Sequence, residues 1–466
     1  MLSRCCLTAV VCLFAACSSV LADETASLPL LFRDADDVEG DTYGRIEFRA
    51  NPLRDLGRAE NYPPYVDAGC FVPREAGGFW MYGWTNFSDA GEFSETNPLR
   101  VIRCWTVDGQ SFHDPETVFS ETGQRWLGYA NIVHRPADGA LFLFAWSRGS
   151  PGAAVHVYSS KDGSSWERRA SPAYTDHDAC FFLWSEETER FVNFQTTYQR
   201  WDKRYPDNIG GRIRRVLSLR TSADGVAWEP DLNVGFSGPY RSADELIVPD
   251  ENDPRELEFY RVVVFPVQGK PAGLLSRYAP SPQIANTREG TKHGPGLGVE
   301  WFFCREGWQV RRPYRDTEAL PAERPWMPRH APLEVDRTLR FYNPHDQRVV
   351  GIQSDRVFHA YCRANGEFST PSFKMQASGL SINVDADAYD SYVMVEIQDS
   401  AGEVIDGFEK ERCVWKGTDS RNLRLEWNGQ SAARLTGEVV RLRVYLRNAA
   451  VYSVRTASAA ASDLGE

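Results

Sequence analysis

From Ile46 onward the chain is built of short apolar runs, four to nine residues long, broken by Gly, Pro, Asn and Asp; long stretches of helical period are scarce. The runs fall into groups. Ala68–Pro73, Gly78–Thr85 and Leu99–Thr106 form one; Tyr129–His134, Leu141–Ser147 and Ala154–Ser159 a second; Ala179–Trp184, Arg190–Thr196 and Arg215–Thr221 a third. A fourth is expected over Glu245–Pro249, Glu258–Pro266, Gly273–Tyr278 and Leu297–Cys304. A fifth is expected around Leu333–Tyr342, closed by an N-terminal strand near Tyr43–Arg49. Beyond Val350 the alternation is cleaner: Leu380–Val384, Tyr392–Ile397, Leu423–Trp427 and Val439–Leu446 read as strands with one buried face.

A turn motif, Ser/Thr-x-Asp-Gly-x-x-aromatic, closes each of the first three groups: Thr106 to Phe112, Ser160 to Trp166 and Ser222 to Trp228. A degraded copy spans Cys304 to Val310. Asp-Gly after a strand favours a hairpin because glycine takes the positive φ that the turn needs, while the Ser/Thr and Asp oxygens accept from nearby backbone N–H groups. The copies are 54 residues apart from Asp108 to Asp162 and 62 from Asp162 to Asp224. A recurring small sheet of this size, each unable to cover its own apolar face, predicts a β-propeller with Asp108, Asp162 and Asp224 on peripheral turns. The expected fold class is therefore all-β: a five-bladed β-propeller followed by a small antiparallel β-sandwich. The expected boundaries are a signal peptide over 1–22, the propeller over 23–352, the sandwich over 353–456 and a tail over 457–466.

Composition and processing signals narrow the setting. Arg4, the apolar run Leu7–Ala16 and Val20-Leu-Ala22 read as an export signal cleaved before Asp23, with lipidation at Cys17 as the alternative. The apolar run is too short to span a bilayer, so no transmembrane segment is expected. Net charge is −12 and no strongly basic run is present, which argues against nucleic acid as a partner. Six cysteines lie beyond the signal, never as C-x-x-C, so zinc is not expected; buried thiols are the first reading, and one or two disulfides remain open. Asp385 and Asp387 would suit a structural Ca²⁺ only with a fuller set of oxygens; no other cofactor is expected.

Two stretches carry a resemblance. Leu257-Glu-Phe-Tyr-Arg-Val-Val-Val-Phe265-Pro, continuing through Gly273, Gly298-Val-Glu-Trp-Phe-Phe-Cys-Arg-Glu-Gly307 and Arg311-Arg-Pro313, resembles the late blades of five-bladed propellers of the β-fructosidase and arabinanase glycoside hydrolases. Val395-Glu-Ile-Gln-Asp-Ser-Ala-Gly402 through Gly407-Phe408 and Val440 to Tyr452 is similar to the C-terminal β-sandwich that accompanies such propellers in exported bacterial proteins.

The resemblance implies carbohydrate as substrate or ligand, with carboxyl groups brought to a central funnel by the first strand of successive blades, since glycosidic cleavage needs a protonated and an ionised carboxyl across the bond. Asp67, Asp178 and Glu245 occupy those places: Asp67 as base or nucleophile, Glu245 as general acid, Asp178 as the orienting acid. In the second group Asn131 or His134 stands where an acid is expected. Trp84, Trp126, Tyr129 and Arg241 complete the expected sugar-contacting set. The resulting expectation is an exported glycoside hydrolase-like protein. A non-catalytic carbohydrate-binding or cell-envelope interaction propeller is the alternative, which the second-group departure favours. Absence of G-x-S-x-G, of a phosphate loop and of a dinucleotide fingerprint removes the corresponding chemistries.

Overall fold

The computed structural model describes residues 25–148, 153–175, 180–200, 213–229, 246–254, 257–278, 296–321 and 326–457. The signal segment with Cys17, and Asp178, Arg241 and Glu245, lie outside the described residues. The described residues form an all-β molecule whose helical pieces are short 3₁₀ turns, and no helix is long and apolar enough to cross a membrane.

Five of its sheets are four-stranded and antiparallel. The first runs Asp67–Pro73, Phe79–Thr85, Leu99–Thr106, Phe112–Glu121, and the second Trp126–Arg135, Ala140–Arg148, Ala153–Ser160, Glu167–Thr175. The third runs Cys180–Ser185, Arg190–Arg200, Ile213–Ser222, Leu246–Ile247, and the fourth Glu258–Val267, Lys270–Tyr278, Gly296–Arg305, Gln309–Arg311. The fifth combines Leu333–Val335, Thr338–Tyr342 and Arg348–Gln353 with Arg54–Arg58. The leading strands of the first four sheets pack side by side in chain order. The fifth sheet sits between the fourth and the first: Phe341 meets Phe265 at 5.3 Å between ring centroids, and Tyr342 meets Phe71 at 5.6 Å. This is a propeller-type arrangement, in which neighbouring sheets bury one another's apolar faces.

Two expectations are corrected here. The strand that completes the fifth sheet is Arg54–Arg58, whereas Glu39–Tyr43 and Glu47–Ala50 pair with strands from the C-terminal part of the chain. Leu246–Ile247 does not lead the fourth sheet; it pairs with Leu217 and Ser218 at the outer edge of the third. A two-residue apolar run cannot by itself distinguish a leading strand from an edge strand, and the longer Glu258–Val267 run takes the inner place.

The Ser/Thr-x-Asp-Gly turns connect the third and fourth strands of the first three sheets. In each, the hydroxyl of the first residue accepts from the glycine N–H at 2.8–2.9 Å, and one Asp oxygen accepts from the two N–H groups that follow the glycine at 2.7–3.0 Å. Backbone donors hold the Asp108, Asp162 and Asp224 carboxyls below the usual range; at Asp108 and Asp224 they do so against the opposing effect of burial. The 3₁₀ turn Glu306–Trp308 occupies the same place in the fourth sheet.

The remaining strands form two six-stranded sheets that enclose one core, and a small two-stranded pair, Glu426–Trp427 with Gln430–Ser431. Alternate residues Val440, Leu442, Val444 and Leu446 face Val393, Val395 and Ile397 of the same sheet and Ile382, Val384, Val451 and Val454 of the other. N-terminal residues Leu30 and Phe32 complete that core. This unit is tied to the four-stranded sheets by Phe358 stacked on Tyr314 (5.3 Å) and by Trp301 Nε1 donating to the Asn51 carbonyl at 2.9 Å. Cys70, Cys104, Cys304, Cys362 and Cys413 are free thiols, so the option of a disulfide among them is closed.

Candidate functional site

Asp67 is the first residue of the leading strand in the first sheet and is 4 % exposed. The preceding turn fixes it. Tyr62 is stacked on Tyr342 (5.3 Å, 4° between planes), and its hydroxyl donates to the Val66 carbonyl at 2.9 Å. Tyr65 takes a positive φ of 59°, an uncommon conformation for a bulky residue, and its N–H donates to the Pro344 carbonyl at 2.7 Å. Val66 and Ala68 are buried on either side, and strand alternation turns the Asp67 carboxyl to the opposite face from theirs.

Across from it runs the segment Pro328–His330. His330 is fully buried; its Nδ1 lies 2.7 Å from the Ala331 carbonyl and its Nε2 3.1 Å from the Tyr342 N–H. Bonds to an acceptor on one side and a donor on the other suit the neutral ring with hydrogen on Nδ1, and burial lowers its pKa. With the backbone so pinned, Arg329 Nη1 reaches Asp67 Oδ2 at 3.3 Å, and the Arg329 carbonyl accepts from Asn131 Nδ2 at 3.2 Å. From the fourth sheet, Arg261 Nη2 donates to the Tyr129 hydroxyl at 2.7 Å. Burial would raise the Tyr129 phenol, but the charges of Arg261 and Arg329, with the Tyr260 hydroxyl, overcome it and leave its pKa below the usual value.

These residues enclose a cavity of about 30 Å³ whose lining includes Trp84, Tyr129, Asn131, Phe181, Arg261 and Arg329. That is room for a water or the tip of one polar group at the floor of the opening, not for a sugar ring. Among the described residues, Asp67 Oδ1 and Asn131 Oδ1 are buried and accept no hydrogen bond, and Arg261 Nε and Arg329 Nε donate none. Orphaned acceptors and donors converging on one cavity are what a polyhydroxylated or charged ligand would satisfy.

The expected residues are thus dispersed as follows. Asp67, Trp84, Tyr129 and Asn131 come together. Trp126 does not join them: it is 1 % exposed, edge-on to His156 at 5.4 Å, with Nε1 donating to the Glu121 carbonyl, and it serves the core. His134 lies near the far end of its strand and lines a larger, mostly apolar cavity of about 470 Å³ with Trp184 and Phe265; burial lowers its pKa. Asp385 accepts from the Asp387 N–H at 3.4 Å, and no group of three metal-ligating side chains occurs among the described residues.

Arg261, Arg329, His330 and Glu258 were not anticipated. Glu258, not Glu245, opens the leading strand of the fourth sheet, but it is fully buried against Arg215 at 3.0 Å. An arginine inside the apolar run Phe259–Val267 was the available signal for Arg261. Nothing in the Pro- and Arg-rich stretch before His330 marked Arg329.

No family model matches the chain, and no curated protein matches it. Solved structures do. A thermostable family-43 glycoside hydrolase is 7 % identical, with 67 % of this chain and 92 % of that one covered at a TM-score of 0.41. A family-117 glycoside hydrolase of the marine bacterium Zobellia galactanivorans is 8 % identical, covering 87 % and 92 % at 0.33. A GH32 β-fructofuranosidase of Bombyx mori is 9 % identical, covering 88 % and 96 % at 0.35.

Proposed function

We propose that the chain is an exported glycoside hydrolase-like protein acting on an extracellular poly- or oligosaccharide. In this reading the five four-stranded sheets are the blades of a propeller, and the two six-stranded sheets are its accompanying sandwich. The observation that carries the reading is the Asp67 carboxyl: buried, with one oxygen against Arg329, which lines the cavity, and the other without a hydrogen-bond partner among the described residues. An oxygen so placed is suited to accept a proton from a sugar hydroxyl or from an attacking water.

The second carboxyl is assigned to Asp178, two residues ahead of the leading strand Cys180–Ser185, whose Phe181 lines the same cavity. Glu245 stays the alternative for the acid's role; the strand that follows it, Leu246–Ile247, pairs at the outer edge of the third sheet. Export proceeds by cleavage after Ala22 or with lipidation at Cys17, and the intact mass of the mature protein distinguishes the two.

The test is a screen of plant and algal polysaccharides with the purified protein, followed by Asp67→Asn on whichever substrate is cleaved. The expected result is loss of turnover by at least about a hundredfold, the scale of a general base, with sugar binding retained. Wild-type turnover in Asp67→Asn would remove Asp67 from the chemistry. A second reading, a carbohydrate-binding propeller without turnover, is favoured by Asn131 in the place of an acid in the second sheet; binding without cleavage across the screen would select it.

A further inference from the structure

Among the described residues, the charged side chains that line the cavity are both cationic. These are Arg261 and Arg329, and the Asp67 carboxylate lies against Arg329. Arg329 is engaged by Asp67. Arg261 is not engaged by any carboxylate among the described residues: its Nη2 bonds the Tyr129 hydroxyl, and its Nε is buried without a partner. Its guanidinium carbon lies 5.3 Å from the Tyr129 ring centroid and 5.6 Å from that of Tyr260, and the Arg329 guanidinium carbon lies 5.6 Å from the Tyr129 ring centroid.

A guanidinium beside two aromatic rings, with a buried Nε left over and no carboxylate in ion-pair contact among the described residues, is costly to bury unless something supplies the acceptor. Its planar fork matches two oxygens of one acidic group, as in a carboxylate or a sulfate ester. The depressed Tyr129 phenol reports the same positive potential. Arg329 pairs with Asp67, whose charge also acts on Arg261 but without ion-pair contact, so the Arg261 fork is left to a second negative charge.

We infer that the sugar recognised at this cavity is anionic, carrying a carboxylate or a sulfate ester that pairs with Arg261. This rests on the carbohydrate reading above and adds the substrate class to it. No covalent step is involved; Arg261 acts in binding.

The experiment measures wild-type binding by calorimetry to oligogalacturonate and oligoglucuronate trisaccharides, and to sulfated galactose oligosaccharides. Each is paired with its carboxyl-reduced or desulfated counterpart, at two salt concentrations. The expected result is at least tenfold tighter binding of one anionic series than of its neutral partner, weakening with salt only for the anionic member. The carboxylate and sulfate arms tell the two sources apart.

Arg261→Met is expected to abolish that preference, and Arg261→Lys, which keeps the charge but loses the fork, to retain part of it. Near-ultraviolet circular dichroism checks that both variants are folded. Equal wild-type binding of charged and neutral partners, or a preference that survives in Arg261→Met, overturns the anionic inference while the carbohydrate reading stands. Absence of binding to every member of both series overturns both.

Discussion

Replacing Gly163 by alanine tests whether the recurrent turn is a docking device between sheets or only a hairpin. Gly163 has φ 72°, and a Cβ there would lie 2.1 Å from the Tyr82 hydroxyl oxygen, 2.6 Å from its Cζ and 2.7 Å from its Cε1. Tyr82 belongs to the first sheet, is 5 % exposed and packs in the core shared with Trp84, Val101 and Ile132, so its ring cannot swing aside without disturbing that core. Gly225 is the matched control. Its φ is 78° and its N–H is held by Ser222 as that of Gly163 is held by Ser160, but a Cβ there would meet Phe144, Phe142 and Phe191 at 3.4–3.5 Å, ordinary contact distances.

Both substitutions carry the left-handed backbone cost of about 1–2 kcal/mol. Gly163→Ala adds an overpacking cost of about 1–3 kcal/mol, which Gly225→Ala escapes. Urea unfolding followed by tryptophan fluorescence should therefore place Gly163→Ala below Gly225→Ala in stability by about 1–3 kcal/mol. Equal destabilisation of the two would refute the idea that the turn of one sheet seats on the aromatic residue of the sheet before it.

Two further predictions follow from burial. His359 is buried against the Tyr452 ring at 5.0 Å between centroids, and burial first, then the Arg49 charge, lowers its pKa to about 4; the unfolded histidine, at about 6.5, takes up its proton earlier as pH falls. Its contribution is present in full above about pH 6.5 and is lost toward pH 4, at up to about 1.4 kcal/mol per pH unit; His156, lowered to about 4 mainly by burial, acts in the same direction. Unfolding free energies at pH 7 and pH 5 should differ accordingly, and His359→Gln should shrink the difference; an unchanged slope in the variant would show the histidine does not carry it. Burial also raises the thiols of Cys104 and Cys304 to about 12, so iodoacetamide at neutral pH should leave both unlabelled in the native protein and modify them in urea. Mass spectrometry of the peptides reads this, and rapid native labelling would contradict it.

Much of this architecture is legible in the amino-acid order because its signals are local. Asp-Gly after an apolar run specifies a turn wherever it occurs, and the alternation of Val439–Leu446 specifies a strand with one buried face. What escaped depends on partners distant in sequence. Arg54–Arg58 has no apolar period, and only its register with Arg348–Gly351 makes it a strand of the fifth sheet. Leu246–Ile247 and Glu258–Val267 both read as strands, but which is inner and which is edge is decided by the neighbour each pairs with. At the site, Asp67 was visible from its place ahead of a leading strand. Arg329, which meets it, is 262 residues away in a stretch whose composition suggests only a linker.

The central claim is that sugar is bound at the Asp67 cavity in a pose that allows carboxylate chemistry. A crystal structure of Asp67→Asn with a bound oligosaccharide from the substrate screen tests it most directly. The account predicts a sugar ring over Tyr129 and Asn131, with the residue-67 side chain about 3–3.5 Å from the reacting carbon or its attacking water, and a second carboxyl roughly 5–9.5 Å from it. A sugar seated on the paired six-stranded sheets or in the larger cavity beside His134, or a bound sugar with no second carboxyl in that range, would contradict it.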